Sequence, residues 1–143
     1  QSLNKHLSGC KRYFIFVATL GVKADFIIRR YSGCDITNAA IAQAVASWYI
    51  ERFCDSEMEA FEKNGLFFKP RFSPGYGDFD ISYQKYILNL TDASKKLGIT
   101  LTEGNMMIPE KSVTAVLGLT KDKQCIQHKC ENCPNKKCEY RSR

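Results

Sequence analysis

The segment Arg71-Phe72-Ser73-Pro74-Gly75-Tyr76 combines groups that could recognise a small charged ligand. Arg71 leaves a predicted strand into a Pro-Gly turn, and its planar guanidinium can bind a carboxylate through two parallel hydrogen bonds. Backbone groups around Ser73 could address the polar end of an amino acid, and Tyr76 adds a flat ring with a hydroxyl. A plainer interpretation stays open, in which Arg71 pairs with a surface carboxylate and Tyr76 only packs the loop.

Glu51 is a second candidate, on a predicted helix. Ala40, Ala44, Ser47 and Glu51 follow the spacing i, i+4, i+7 and i+11, which places them along one stripe of that helix. Three small residues leave room for a ligand or another backbone, and the carboxylate that follows them could accept hydrogen bonds from an ammonium group. The alternative is a helix glutamate that faces only solvent.

Four of the seven cysteines form a cluster near the end of the sequence, at Cys125, Cys130, Cys133 and Cys138. Two residues separate Cys130 from Cys133, so both thiolates can reach one metal ion, and the outer pair could complete a tetrahedral zinc site. A [4Fe–4S] cluster also takes four cysteine ligands, and neighbouring lysines favour the thiolate form. We expect zinc or [4Fe–4S] here; the alternative is free thiols in a tail.

The elements that must position these residues alternate irregularly between strands and helices. This favours an α+β fold with a twisted, mainly antiparallel sheet and flanking helices over a parallel doubly wound one. Trp48, Tyr49, Phe53, Met58 and Phe61 lie on the longest predicted helix, and we expect them to be substantially buried. The sequence predicts strands at 13–20, 99–103 and 112–119, an extended segment at 66–72, a loop at 73–80, and helices at 22–31, 35 or 37 to about 63, 82–90 and 92–97.

Composition and charge limit the possible functions. The 143 residues are 44% hydrophobic and 25% charged, which is ordinary for one folded domain and argues against disorder. Residues 121–143 hold seven Lys or Arg against three Asp or Glu and account for most of the net charge of +6, so the sequence does not support a broadly basic nucleic-acid-binding face. We therefore expect a domain at 1–120 and a basic four-cysteine tail at 121–143.

The sequence also predicts a location. No apolar run is long enough to cross a membrane, and no secretion signal is recognisable. An odd total of seven cysteines, four of them in a tight cluster, favours a reducing compartment, so we expect a cytoplasmic protein. The first residue is Gln1 rather than Met, and we expect the domain to be incomplete at its N-terminus.

Three features taken in chain order resemble the activation domain of cobalamin-dependent methionine synthase. They are a helix with Glu51, the pattern R-x-x-P-G-Y at Arg71–Tyr76, and L-T-E-x-x-x-M-x-P-x-x-S-V-T at Leu101–Thr114. Small stand-alone bacterial relatives of that domain are more similar still. The resemblance covers roughly residues 7 to 120 and implies the same fold, with a cysteine-rich tail added.

The resemblance implies binding of S-adenosylmethionine and reductive methylation of cob(II)alamin on a separate methionine synthase or corrinoid protein, with an electron from flavodoxin or ferredoxin. By position, Arg71 would hold the methionine carboxylate and Glu51 would meet the ammonium. The backbone at Ser73 and the ring of Tyr76 would seat the rest. Because a methyl sulfonium is already electrophilic, placement is sufficient, and we expect no acid–base pair.

Two departures from the family pattern support an alternative. Nothing before Leu7 supplies the acidic ligand contact of the full-length enzyme, and Lys123-Gln124-Cys125 stands where the family has a tyrosine pair. The alternative is a non-enzymatic interaction module with a degenerate ligand site and a zinc-knuckle-like tail that binds a partner or RNA. RNA is less favoured, because Tyr140 is the sole aromatic residue at 121–143.

Overall fold

A computed structural model describes residues 2–62 and 65–121 of the chain. Its main sheet has three strands in the order β1-β5-β2, with both neighbouring pairs antiparallel. The β1–β5 ladder is continuous from Arg12 opposite Leu119 to Thr19 opposite Ser112. A separate two-stranded sheet pairs β3 with β4. The strands are β1 (Arg12–Thr19), β2 (Phe67–Phe68), β3 (Thr100–Leu101), β4 (Met107–Ile108) and β5 (Ser112–Thr120).

The described part of the chain has five helices that flank the sheets: α1 (Ser2–Leu7), α2 (Val22–Ser32), α3 (Ile36–Phe61), α4 (Tyr83–Thr91) and α5 (Ala93–Leu97). The start of α3 is fixed by Asp35, whose carboxylate accepts a hydrogen bond from the backbone N–H of Asn38 at 2.9 Å. Such a cap satisfies one of the helix donors that lack an intrahelical partner. None of the helices described is apolar over enough of its length to cross a bilayer.

Helices cover both faces of the main sheet. On one face, Ile50 and Cys54 of α3 pack against Ala18 of β1. On the other face, Val17 packs against a cluster of Leu88, Ala93 and Ile99 from the α4–α5 region. Adjacent strand residues point to opposite sides, so the sheet lies between a layer containing α3 and a layer containing α4 and α5.

The predicted fold class is confirmed: the chain is α+β with an antiparallel sheet. Helices α2 to α5 and the two long strands also lie where the pattern placed them, to within two residues at each end. Within the predicted extended segment at 66–72, β2 ends before Pro70, which has no N–H to donate, and an isolated bridge from Phe72 to Val116 follows. The sequence analysis did not anticipate α1 or β4.

The expected burial of the aromatic residues of α3 is wrong. Trp48 is 63% exposed, Tyr49 55% and Phe61 71%, whereas Ile50 and Cys54 are the residues of this helix that are buried. The sheet covers one side of a helix 26 residues long, so aromatic residues on its other sides remain at the surface. The four-cysteine segment lies outside the described residues, and its metal binding stays a prediction.

Candidate functional site

Arg71 joins the loop after β2 to helix α3 through two ion pairs. Its Nη1 donates a hydrogen bond to Oδ1 of Asp55 at 2.6 Å, and its Nη2 donates to Oε2 of Glu51. The Sδ atom of Met58 lies 3.4 Å from Nη1. The side chain of Arg71 is only 8% exposed, whereas that of Glu51 is 59% exposed and that of Asp55 is 46% exposed. A nearly buried cation is therefore held by two carboxylates that still reach solvent.

Helical spacing explains why both carboxylates reach one guanidinium. Glu51 and Asp55 are four residues apart on α3, so their side chains lie one turn apart on the same face. Cys54 packs toward the sheet beside Ile50 and Ala18. The helix is thus anchored on the sheet by one side, and it presents its two acids along the side that Arg71 approaches.

The electrostatics keep this cluster charged. Burial opposes the charge of Arg71, but the hydrogen bond to Asp55 and the attraction of Glu51 and Asp55 outweigh it and raise the pKa of the guanidinium. Burial also raises the pKa of the neighbouring Cys54 thiol to about 11, although Arg71 acts in the opposite direction. Cys54 is therefore protonated at neutral pH and acts as an apolar core residue.

An open cleft of about 310 Å³ lies beside this cluster, lined by Asp55, Met58, Glu59, Glu62, Phe68, Pro70 and Arg71. Its walls offer one strong cation, several carboxylates and an apolar floor. Such a donor set suits a small molecule that carries both an ammonium and a carboxylate, because each group finds an opposite charge. Within 2–62 and 65–121, no group of three or more His, Cys, Asp or Glu side chains could hold a metal ion.

The loop after Arg71 is a compact turn. The N–H of Tyr76 donates to the carbonyl of Ser73 at 3.1 Å, and the N–H of Gly75 donates to the carbonyl of Phe79 at 2.6 Å. Gly75 has a φ of 95°, which side chains other than glycine's rarely adopt. The ring of Tyr76 is 55% exposed and meets Phe72 edge-on, with 5.8 Å between ring centroids. Tyr76 is therefore exposed and Ser73 is half-buried, in a turn held by these two backbone hydrogen bonds.

Helix α1 packs against the segment at 69–72, which includes Arg71. The ring nitrogen Nε2 of His6 lies 2.9 Å from the carbonyl oxygen of Pro70, and its ring centroid lies 4.9 Å from that of Phe72. The ammonium of Lys69 donates to the carbonyls of His6 at 2.9 Å and Ser8 at 2.7 Å. Burial lowers the pKa of His6, with Lys69 adding to the effect and the bond to Pro70 opposing it. A neutral imidazole thus supports the backbone next to Arg71.

The structure brings Arg71 and Glu51 into direct contact and places Ser73 together with Tyr76 in the adjacent turn. Among the described residues, no hydrogen bond or ion pair links the side chains of Ser73 or Tyr76 to the Arg71 cluster. The ligand roles of all four residues remain predictions. Asp55 was missed, although its position four residues after Glu51 on the same helix was a usable signal.

Comparison with protein families identifies a match that covers more than half of the chain. The model described as "Vitamin B12 dependent methionine synthase, activation domain" matches residues 56–143. The matched region contains the Arg71 loop, α4 and strands β2 to β5, and it begins just after Asp55. Comparison with curated proteins gave no match.

Proposed function

The chain belongs to the family of vitamin B12-dependent methionine synthase activation domains, and on this premise we propose that it binds S-adenosylmethionine beside Arg71. The family has a role in the reactivation of methionine synthase. We further propose that this chain supports reductive methylation of cobalamin carried by a separate methionine synthase or corrinoid protein. Flavodoxin or ferredoxin would supply the electron, in the cytoplasm.

The contact between Arg71 and Glu51 at the edge of an open cleft is the observation that carries this proposal. An α-amino acid needs a cation for its carboxylate and an anion for its ammonium within a few ångströms of each other. Arg71 supplies the first and lines the cleft of about 310 Å³, and Glu51, which pairs with Arg71 and is 59% exposed, supplies the second. The donor set therefore fits the methionine end of the proposed ligand.

The three charged residues would have different tasks. Asp55 is the less exposed carboxylate, and its bond to Nη1 would keep the guanidinium aligned with the cleft. Glu51 is more exposed and can turn toward a ligand ammonium, which would leave the Nη2 side of Arg71 for the ligand carboxylate. The backbone at Ser73 and the exposed ring of Tyr76 would contact the remainder of the molecule.

The bound ligand would supply an activated methyl group on a positively charged sulfur, which a reduced cobalamin on the partner can accept. This chain would contribute orientation, because two fixed charges and a rigid turn restrict how the methyl group is presented. It would not need to move a proton, so no general acid or base is assigned.

Calorimetric titration of the full chain with S-adenosylmethionine tests the proposal. Arg71→Ala should weaken binding by roughly tenfold to a hundredfold, as expected for loss of a charge-assisted pair. Glu51→Gln should weaken it by a smaller factor. Arg52→Ala is the matched control, since Arg52 is an exposed arginine on α3 beside Glu51 in sequence. Absence of saturable binding to the wild-type chain, or equal binding by Arg71→Ala, would refute the proposal.

The exposed aromatic side chains of α3 favour a second candidate, the interaction module. Trp48 and Tyr49 are more than half exposed, as protein-binding surfaces often are. In that case the chain would bind a protein partner without S-adenosylmethionine, and Trp48→Ser would abolish partner binding while Arg71→Ala would not. If Arg71→Ala abolishes partner binding and Trp48→Ser does not, the interaction module is excluded.

We also propose that residues 121–143 form a separate segment that holds zinc or [4Fe–4S] through Cys125, Cys130, Cys133 and Cys138. Metal analysis of anaerobically purified chain would decide between them, because [4Fe–4S] absorbs visible light and zinc does not. Retention of no metal by the wild-type chain would contradict this proposal. Serine at Cys130 and Cys133 should reduce the bound metal, whereas serine at the exposed Cys34 should not.

A further inference from the structure

Helices α2 and α3 leave an apolar groove between them that is open to solvent. Its volume is about 510 Å³. The walls include Ile27 and Tyr31 of α2 together with Ile41, Val45 and Tyr49 of α3, and each of these residues is at least 37% exposed. With Trp48, these five residues form what we call the helix-pair face.

Trp48 belongs to this face because of helical spacing. Ile41, Val45 and Trp48 follow the spacing i, i+4 and i+7, which aligns their side chains along one side of α3. Trp48 is 63% exposed and is the only tryptophan of the chain. Alternating steps of four and three residues are the pattern by which one helix packs on another. The face therefore has the side-chain pattern of a helix–helix contact.

The apolar area of the face matches what a dimer buries. Its six side chains expose roughly 450 Å² in one copy, if a fully exposed aromatic side chain has about 200 Å² and an aliphatic one about 100 Å². Two copies face to face would remove about 900 Å² of apolar surface from water. This is close to the apolar share of a standard interface of about 1,600 Å².

The two ends of the face carry opposite charges. Three residues connect α2 to α3, so the helices run antiparallel and the exposed Arg30, near the end of α2, lies beside the start of α3. Among its other charged residues, α2 has two more cations and one acid, Asp25, which is buried. Residues 51–62 of the α3 end hold five acids against the single cation Arg52. The apolar groove lies between this basic end and this acidic end.

Such a charge distribution is complementary to itself. A second copy, rotated by a two-fold axis through the middle of the groove, would place the basic end of each copy against the acidic end of the other. A partner with one uniform charge would match only one of the two ends. The charge pattern therefore favours a second copy of this chain over a different protein as the occupant of the face.

We propose that two copies of this chain form a symmetric dimer through the helix-pair face, with the two α3 helices antiparallel and Trp48 buried between them. The dimer goes beyond the proposed function and does not depend on binding of S-adenosylmethionine. All of the experiments below are therefore done with the full chain in the absence of that ligand.

Sedimentation of the full chain over a dilution series tests for the dimer. The mass should be that of two chains at about 100 µM and of one chain at about 0.1 µM, as expected for a dissociation constant on the order of 1 µM. Trp48 is the only source of tryptophan fluorescence, so its emission should move to longer wavelength over the same dilution as the ring becomes exposed to water.

A charged substitution at the centre of the groove tests which surface is used. Val45→Glu should weaken the dimer by at least a hundredfold, because it places two like charges close together near the two-fold axis. Leu90→Glu is the matched control, since Leu90 is 73% exposed on α4, and it should dimerise as the wild type does. Circular dichroism should show unchanged helix content in both variants.

Charge reversal tests the antiparallel arrangement. Arg30→Glu and Glu59→Arg, both at exposed positions, should each weaken the dimer by about tenfold, because each removes attraction at both ends of the interface. The chain that carries both substitutions should regain the wild-type dissociation constant to within about threefold.

Three results would overturn the inference. The first is a wild-type chain that stays monomeric at about 100 µM with an emission maximum independent of concentration, which would leave the face to a different partner. The second is a Val45→Glu variant that dimerises like Leu90→Glu, which would place the interface elsewhere. The third is a double charge variant that is weaker than either single variant, since the charge argument for a second copy would then be wrong.

Discussion

The two carboxylates that share Arg71 should be energetically coupled, and a double-mutant cycle on Glu51 and Asp55 can measure this. Replacing either acid by its amide leaves the guanidinium with the other anion. Replacing both leaves a cation that is 8% exposed without either of its anionic partners. The second removal should therefore cost more than the first.

The expected magnitude follows from exposure. Each carboxylate is about half exposed, so Glu51→Gln and Asp55→Asn should each lower the free energy of unfolding by about 1 kcal/mol, near the upper end for exposed pairs. The double variant should lose about 3 kcal/mol, the lower end for an unpaired buried charge. The coupling between the two sites is then about 1 kcal/mol.

Urea unfolding at neutral pH and low salt would provide the four free energies of the cycle. Adding Arg71→Met to the double variant should recover most of the loss, because it removes the unpaired charge while keeping an apolar side chain of similar length. If the losses measured for Glu51→Gln and Asp55→Asn add up to the loss of the double variant within about 0.4 kcal/mol, the reasoning is refuted. So would a further loss of stability on Arg71→Met in the double variant.

Three further predictions concern residues around the core. Burial lowers the pKa of His6 from its ordinary value of 6.5, so the unfolded chain binds a proton more readily than the folded chain. The contribution of His6 to the free energy of unfolding should be fully present above pH 6.5 and should be lost as the pH falls toward the pKa of His6 in the folded chain. In urea unfolding, His6→Gln should make this decline with falling pH less steep. A steeper decline in His6→Gln would contradict this. With a pKa of about 11, Cys54 is ~0.1% thiolate at pH 8, and the thiolate is the form that alkylating reagents attack. Peptide mapping after alkylation should therefore find the exposed Cys34 labelled long before the buried Cys54. Equal labelling rates for the two cysteines would contradict the burial of Cys54. Gly118→Ala would push a methyl group against Cys10, in the segment that follows α1, and should lower the free energy of unfolding by about 1–3 kcal/mol. Gly33→Ala is the control: its methyl group would meet no atom within 4 Å, and it should change the free energy of unfolding by less than about 0.5 kcal/mol.

Periodicity and turn residues predicted the main elements because those signals are local. Asp35 marks the start of α3, Gly98 marks the end of α5, and the β-branched and aromatic run at 13–20 marks β1. The pairing of β1 with β5 is a long-range contact that no local signal encodes. The sequence analysis predicted an antiparallel sheet but not which of its strands pair.

The candidate site was predictable in part. The turn chemistry at Arg71 and the helix stripe ending at Glu51 identified two residues that the structure joins. Asp55 was accessible to the same spacing argument. His6 was not, because its importance comes from a contact with an element distant in sequence. The aromatic residues of α3 misled for a related reason, since hydrophobicity does not reveal which sides of a helix the sheet will cover.

The position of β5 has a consequence for synthesis on the ribosome. Both edge strands hydrogen-bond to β5, which is the last described strand to be made, and the ladder between β1 and β5 closes a loop of about one hundred residues. Neither β1 nor β2 has its partner until β5 has emerged, so nascent chains that stop short of Ser112 would carry an unpaired apolar strand. Such chains should be recognised by chaperones, and the loop closure should make sheet assembly slow relative to helix formation.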